Sequence, residues 1–344
     1  MTKKIKFKIQ SSFLGVYDYD FLNPNLRQDF VFKIINKSFL SASKNLMLST
    51  TNAKVLGRSN IILNSTNIAA INGLSFSLSK EKIFGNDYSD FNLENNIEPV
   101  FNCSSEINID SAVFIGSSSN IGHWLFNHLL KVAFLDEAQK KLKFLVSDNN
   151  LPKRYLDFFK VLGIENELIM LKAATLYNVN KIYLPLMPWH STDAGFVNFC
   201  PNVIPFLRRF TLRKNNEEGL NVFISRKKAL HRKLLNEEEI TDYLRTKNFQ
   251  IIFLEDLSLE KQMKIGNQAQ NVICPWGAGS NFFIFMNKNS NLYELGPRDR
   301  MNITPLFCNY ANVNNIQIAG KLIDQKNSLD CDFTIDIKDI KKIF

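Results

Sequence analysis

Apolar and polar residues alternate most regularly in the second half of the chain. Short continuous apolar runs at Leu220–Ser225 ("LNVFIS"), 250–255 ("QIIFLE"), 271–276 ("NVICPW") and 291–296 ("NLYELG") predict strands buried on both faces. The segments between them carry apolar residues at helical spacing. Residues 236–249 predict a helix with Asn236 as N-cap and Glu239 three residues on. Residues 258–270 predict a second helix capped by Ser258, and "GSNFFIFMN" opens a third. Strand and helix alternate with short connections, the pattern of βαβ units on a parallel sheet.

The first half is less regular. Residues 112–117, 142–147 and 181–186 read as strands, 121–141 as one long helix, and 153–163 as a helix closing on Gly163. In the long helix His123, Asn127 and Lys131 fall at i, i+4 and i+8, which predicts a polar stripe opposite Leu125, Leu129, Val132 and Ala133. The loop 187–202 holds His190 and Asp193, and the charged stretch "RKNNEEG" follows a short apparent helix. These shifts predict a boundary near 213, between one α/β domain over 1–212 and a second over 213–320. The tail 321–344 is expected to cross back to the first domain.

Composition narrows the function. The chain has 344 residues, 45% hydrophobic and 22% charged, with a formal net charge of +9. The excess is spread out, unlike the concentrated aromatic-lined stripe of a nucleic-acid binder. Anionic small substrates or an anionic membrane surface account for it equally. Five cysteines, Cys103, Cys200, Cys274, Cys308 and Cys331, lie far apart without a paired spacing. That argues against a zinc site and for buried thiols in a reducing compartment. The N-terminus lacks an apolar core of signal-peptide length, and no apolar run is long enough to span a bilayer. The expected setting is cytoplasmic, free or peripheral on the inner face of a membrane.

Candidate chemistry gathers at strand ends. Between strand and helix lie Trp276, Gly277, Ala278, Gly279 and Ser280. Small residues there permit a sharp turn and leave helix amides open to an anion, or they simply let helix and strand pack closely. Arg226, Lys227, Lys228, Arg232 and Lys233 start where strand 220–225 stops, on the same expected sheet edge, and favour the anion. Glu294 closes the next strand, where a carboxylate can accept from a ribose diol. His123, in the first turn of its helix, is a candidate general base, with Asn127, His190 and Asp193 as cleft or acceptor residues. Asp-x-Asp strings at Asp18–Asp20 and Asp330–Asp332 invite a metal, but neither closes a strand on that edge.

In order, "GHWLFNHLL", "VFISRKKALHRKLLNEEEI", "LSLEKQMKIGNQAQNVICPWGAG" and "IFMNKNSNLYELGP" resemble glycosyltransferase family 61. The resemblance implies two Rossmann-like domains facing a central cleft, the GT-B architecture. It implies an inverting, metal-independent transfer from a nucleotide sugar, UDP-linked by family habit, to a glycan or lipid-linked glycan in bacterial capsule or other surface polysaccharide synthesis. No cofactor and no nucleic acid are expected. Arg226, Arg232, Gly277, Ala278, Gly279, Glu294 and His123 stand at the family's motif positions. The chain departs where the family has His (here Trp276), Asp (here Asn127) and Asn (here Phe282). An amide cannot take a proton, so a catalytically silent relative that binds nucleotide sugar or glycan is the alternative.

Overall fold

The computed structural model describes residues 3–6, 8–9, 33–40, 43–59, 61–63, 68–71, 88–89, 100–147, 151–185, 189–191, 197–199, 206, 208–211, 219–297, 304–323 and 331–344. The chain divides into two compact units, Met1–Val203 and Ile204–Phe344.

The first unit is built on strands β1 (Ser43–Leu56), β2 (Ser105–Phe114), β3 (Lys143–Ser147), β4 (Leu168–Leu171) and β5 (Thr175–Pro185). Their order in the sheet is β4-β3-β2-β5-β1. The first four of these are mutually parallel, and β1 runs antiparallel to β5. Ala53, Val55, Ile109, Phe114, Leu145, Leu171, Tyr177 and Val179 share one buried cluster.

Only residues 172–174 link the parallel strands β4 and β5, where a parallel connection normally needs a dozen or more. The sheet curls until the two ends meet. Arg58 N–H donates to the Leu171 carbonyl and Gly57 N–H to that of Thr175, both at 2.9 Å. A Cβ on Gly57 would lie 1.8 Å from the Lys172 carbonyl oxygen, so only glycine fits at this seam. The first unit is thus a curled mixed sheet rich in parallel strands, an α/β arrangement as the sequence predicts.

The helix expected over 121–141 is several short pieces. One α-turn (Ile121–His123) runs into a wide π-turn (Trp124–His128) and then a 3-10 stretch (Leu129–Phe134). It stops because Asp136 and Gln139 form a reciprocal capping box, with Gln139 N–H on Asp136 Oδ1 at 2.7 Å and Asp136 N–H on Gln139 Oε1 at 3.1 Å. Every residue from Trp124 to Val132 is buried, so beyond the half-buried His123 the expected polar stripe does not reach solvent; Lys131 has no exposure at all. Residues 153–163 do close on Gly163, whose φ is +67°.

The second unit has five parallel strands, β6 (Leu220–Ile224), β7 (Phe249–Ile252), β8 (Ala269–Pro275), β9 (Asn291–Gly296) and β10 (Asn314–Ala319). Between them run α1 (Glu237–Thr246), α2 (Leu259–Gln268), a 3-10 helix (Ala278–Phe285) and α3 (Thr304–Ala311). The spatial order β7-β6-β8-β9-β10 is that of a doubly wound sheet. The chain reverses direction of growth between β6 and β8. Ser258 caps α2 as expected, accepting from Lys261 N–H.

At the amino edge four asparagines form a ladder: the Asn314 amide donates to Asn291 Oδ1 at 3.0 Å, Asn291 to Asn271 at 2.8 Å and Asn271 to Asn221 at 2.8 Å. Asn236 does not cap α1. Its amide bonds the backbone of Ile335 both ways, at 2.8 and 3.2 Å. The tail from 331 therefore packs on this unit. Phe333 and Ile335 and Ile340 of α4 (Ile337–Lys341) join Phe223, Ile240, Leu244 and Ile273 in one core. Residues just before 213 also belong here: Phe210 meets Phe285 edge-on at 6.2 Å and Arg208 Nη1 donates to the Met286 carbonyl at 3.1 Å.

Candidate active site

Open α/β sheets bind ligands where the strand order reverses, outside the carboxyl ends of the strands. In the second unit that point lies between β6 and β8. Arg226 follows β6 by two residues, and Trp276 and Gly277 follow β8. Gly277 has φ +140°, a region closed to side chains. A Cβ there would come within 2.5 Å of Arg226 Nη1 and 2.9 Å of its Cζ. The Arg226 guanidinium therefore lies directly over the glycine turn.

Glu237, the first residue of α1, holds Arg226 in place. Its buried carboxylate accepts from the Arg226 N–H at 3.2 Å and from the Ser225 hydroxyl. Arg226 Nη2 donates to the His231 carbonyl at 3.1 Å, while its Nε is buried and has no partner among the described residues. Sequence reading passed over Glu237 in favour of Glu239; the available signal was an acid one strand-to-helix connection after the Ser-Arg pair. Arg232 adopts φ +59° and lies 4.4 Å over the Trp276 ring. Burial lowers the Arg226 pKa first, and the nearby Arg232 charge lowers it further; the acids around it offset this only in part. Two cations held close on one turn favour an anion between or beside them. The lysines of the cluster face outward instead. Lys228 pairs with Asp256 at 2.7 Å, Lys227 with Glu238 at 3.9 Å, and Lys233 is exposed, as is the side chain of His231.

The turn is braced from behind. Ser280 N–H and hydroxyl both return to the Gly277 carbonyl, at 3.1 and 2.7 Å. Ser280 is thus buried in the turn and not presented from it. A Cβ on Gly279 would meet only Ile224 Cγ2 at 3.4 Å, an ordinary contact, so of the two glycines Gly277 alone must be glycine. Ala278 begins the 3-10 helix, whose first amides have no partner within the helix. Glu294, expected to meet a ribose, is fully buried inside β9, and the Thr304 hydroxyl donates to its Oε1 at 2.9 Å. Burial raises its pKa, against hydrogen bonds from Thr304, Ser280 and Gln317. Its place is beneath the turn, not on the surface. Phe282 is buried against Phe285 at 5.5 Å.

In the first unit β2 ends at Phe114, and a loop leads to His123. The Asn120 side chain caps the helix start, accepting from Gly122 N–H at 2.9 Å and His123 N–H at 3.3 Å. Asn127, one turn on, places its amide 3.1 Å from His123 Nδ1. If the Asn127 NH2 donates, it occupies the Nδ1 lone pair and leaves the proton on Nε2. Turned over, its carbonyl accepts from Nδ1–H and leaves Nε2 ready to take a proton. Burial lowers the His123 pKa, which keeps the ring neutral near pH 7. Below it, His128 Nδ1 and Lys131 Nζ both lie on the Ile115 carbonyl, at 2.9 and 2.7 Å.

His190 sits in a short strand, Trp189–Ser191, with its backbone opposite Asn198. Asp193, Cys200, Asp18, Asp20 and Asp330 lie outside the described residues. Asp332 accepts from Lys233 N–H at 2.8 Å. Cys103, Cys274, Cys308 and Cys331 are buried and not in disulfides. Among the described residues no three His, Cys, Asp or Glu side chains gather as a metal site, and no helix is long and apolar enough to cross a membrane.

No curated protein matches the chain. A family model described as Glycosyltransferase 61 matches residues 121–293, from the helix start of His123 into β9, just over half of the chain. The chain belongs to the glycosyltransferase 61 family.

Proposed function

We propose that this transferase moves a sugar from a nucleotide diphosphate donor, UDP-linked in the first instance, with inversion and without a metal. The supporting observation is the Arg226 guanidinium lying over Gly277 at the strand-order reversal of the second unit. In this reading the Arg226 and Arg232 N–H groups and the first amides after Gly277 take the diphosphate, and Trp276 backs Arg232. The acceptor hydroxyl attacks the anomeric carbon from the face opposite the diphosphate. Its proton passes to His123 Nε2, the carbon–oxygen bond to the diphosphate breaks, and the charge that appears there meets fixed guanidinium and amide dipoles. One such donor is worth roughly 3 kcal/mol in a transition state.

The acceptor in this proposal is a glycan or lipid-linked glycan for a bacterial surface polysaccharide. The setting is cytoplasmic, with peripheral contact to an anionic membrane, and the two units act as the halves of a GT-B enzyme. The test is to follow nucleotide release from a panel of UDP, GDP and CMP sugars with glycan acceptors. Acceptor-dependent release that is lost with His123→Ala supports the reading, and release that His123→Ala leaves intact contradicts the base assignment. One observation favours a second reading, a silent binder: Asn127 cannot neutralise a protonated His123 as a carboxylate would. Nucleotide-sugar binding without release across the whole panel selects it.

A further inference from the structure

A fully buried lysine must satisfy its amine inside the fold, because burial strips it of water. Lys131 is such a residue. Its Nζ donates to the Ile115 carbonyl at 2.7 Å and lies 5.8 Å from the Phe114 ring centroid. His128, also fully buried, brings Nδ1 to the same carbonyl at 2.9 Å. A carbonyl only accepts, so both side chains are donors and His128 carries its proton on Nδ1.

Ile115 opens the loop that leads from β2 to His123. The loop is tied down along its length. Ile115 and Gly116 N–H both donate to the Leu145 carbonyl (3.0 and 3.1 Å), Ser117 Oγ to that of Ser147 (2.6 Å), and Tyr155 OH to that of Ser119 (3.2 Å). Asn120 then caps the turn of His123. Lys131 and His128 arise from the same helical run as His123, across the π-turn, and grip the loop's first carbonyl from behind. Loop and helix are thereby closed into one bracket with His123 at its corner.

We propose that Lys131 and His128 are positioning residues that lock the Ile115–Asn120 loop and so fix the imidazole of His123 for proton transfer. The inference rests on the reading of His123 as base. The bracket does not hold donor, so its loss should fall on turnover alone.

The experiment compares Lys131→Met, which keeps length and loses the donor, with Lys131→Gln, which keeps a donor. The expected result for Lys131→Met is a kcat about tenfold lower, with donor affinity by calorimetry unchanged; Lys131→Gln recovers part of kcat. Wild-type kcat in a folded Lys131→Met protein overturns the proposal, as does an equal loss in both variants. If Lys131→Met does not fold, His128→Phe removes the other donor and is read the same way. A measurement on the unmodified protein stands apart from any variant: 15N-histidine spectra must find His128 as the Nδ1–H tautomer, and an Nε2–H tautomer refutes the bracket. If His123→Ala keeps full activity, it is the base assignment that fails; if His123→Ala is inactive and Lys131→Met is not impaired, it is the bracket.

Discussion

The two ends of the second unit's sheet are built on opposite terms. At the amino edge three hydrogen bonds link four asparagines from strand to strand. At the carboxyl edge two guanidinium groups crowd one glycine turn, two residues hold positive φ, and a buried arginine nitrogen has no partner among the described residues. One edge spends its polar groups on register and stability, and the other leaves them poised for something that is not protein. Positive φ alone does not separate the edges, since Asn248, Asn289 and Asn312 hold it at the amino ends of the strands; two cations crowded on one glycine turn, with a buried guanidinium nitrogen unmet, are what mark the carboxyl end as a binding site.

The sharpest way to break this contrast is Arg226→Ala. Turnover should fall on the order of a hundredfold, the cost of one lost transition-state donor, with little change in melting temperature; unaltered turnover removes Arg226 from the site. Gly277→Ala comes next. Its Cβ must displace the Arg226 guanidinium and sit at a φ that side chains avoid, so affinity for a nucleoside diphosphate should drop about tenfold, roughly 1.4 kcal/mol. Calorimetric titration checks it. Trp276→Ala removes the ring under Arg232 and should weaken the same affinity roughly fivefold, about 1 kcal/mol.

Asn271→Ala tests the other edge. It cuts two rungs of the ladder and should cost about 1–2 kcal/mol of stability in urea unfolding, while leaving nucleotide affinity alone. A loss of affinity there would blur the division of labour. The smallest effect is electrostatic. The Glu294 pKa is raised by burial, so its contribution to stability is full below the ordinary value of 4.5 and is lost as pH rises through the folded value. Glu294→Gln escapes that loss. Its melting temperature relative to wild type should climb as pH is taken from 4 to 7, and a constant difference would mean the carboxyl does not titrate as its burial dictates.

The second unit was the legible part because its strands are buried on both faces and its helices carry clear periodicity. Strand ends fell close to where the apolar runs predicted, and the pairing of Arg226 with Gly277 follows from both standing at carboxyl ends of neighbouring strands. Side-chain roles at the same edge were harder to read. Nothing in "YELG" says that Glu294 lies under Thr304, because Thr304 is brought there by α3. Asn236 looked like a cap, and tertiary pairing with Ile335 took its amide instead. In the first unit local pattern misled more deeply. A period near 3.6 around His123 suggested one amphipathic helix, but a segment buried all round keeps no polar face, and the capping box at Asp136 ends it early. The curl that lets three residues join β4 to β5 depends on backbone contacts at Gly57, which no periodicity reports.

The central claim is that Arg226 over Gly277 grips a diphosphate. Titrating UDP and UMP in parallel into wild-type and Arg226→Ala protein by calorimetry tests it most directly, with GDP and GMP, then CDP and CMP, as further pairs. The account predicts that wild type binds the diphosphate at least tenfold more tightly than its monophosphate and that Arg226→Ala erases most of this preference. A diphosphate preference that survives intact in Arg226→Ala, or is absent from wild type for every base, contradicts it.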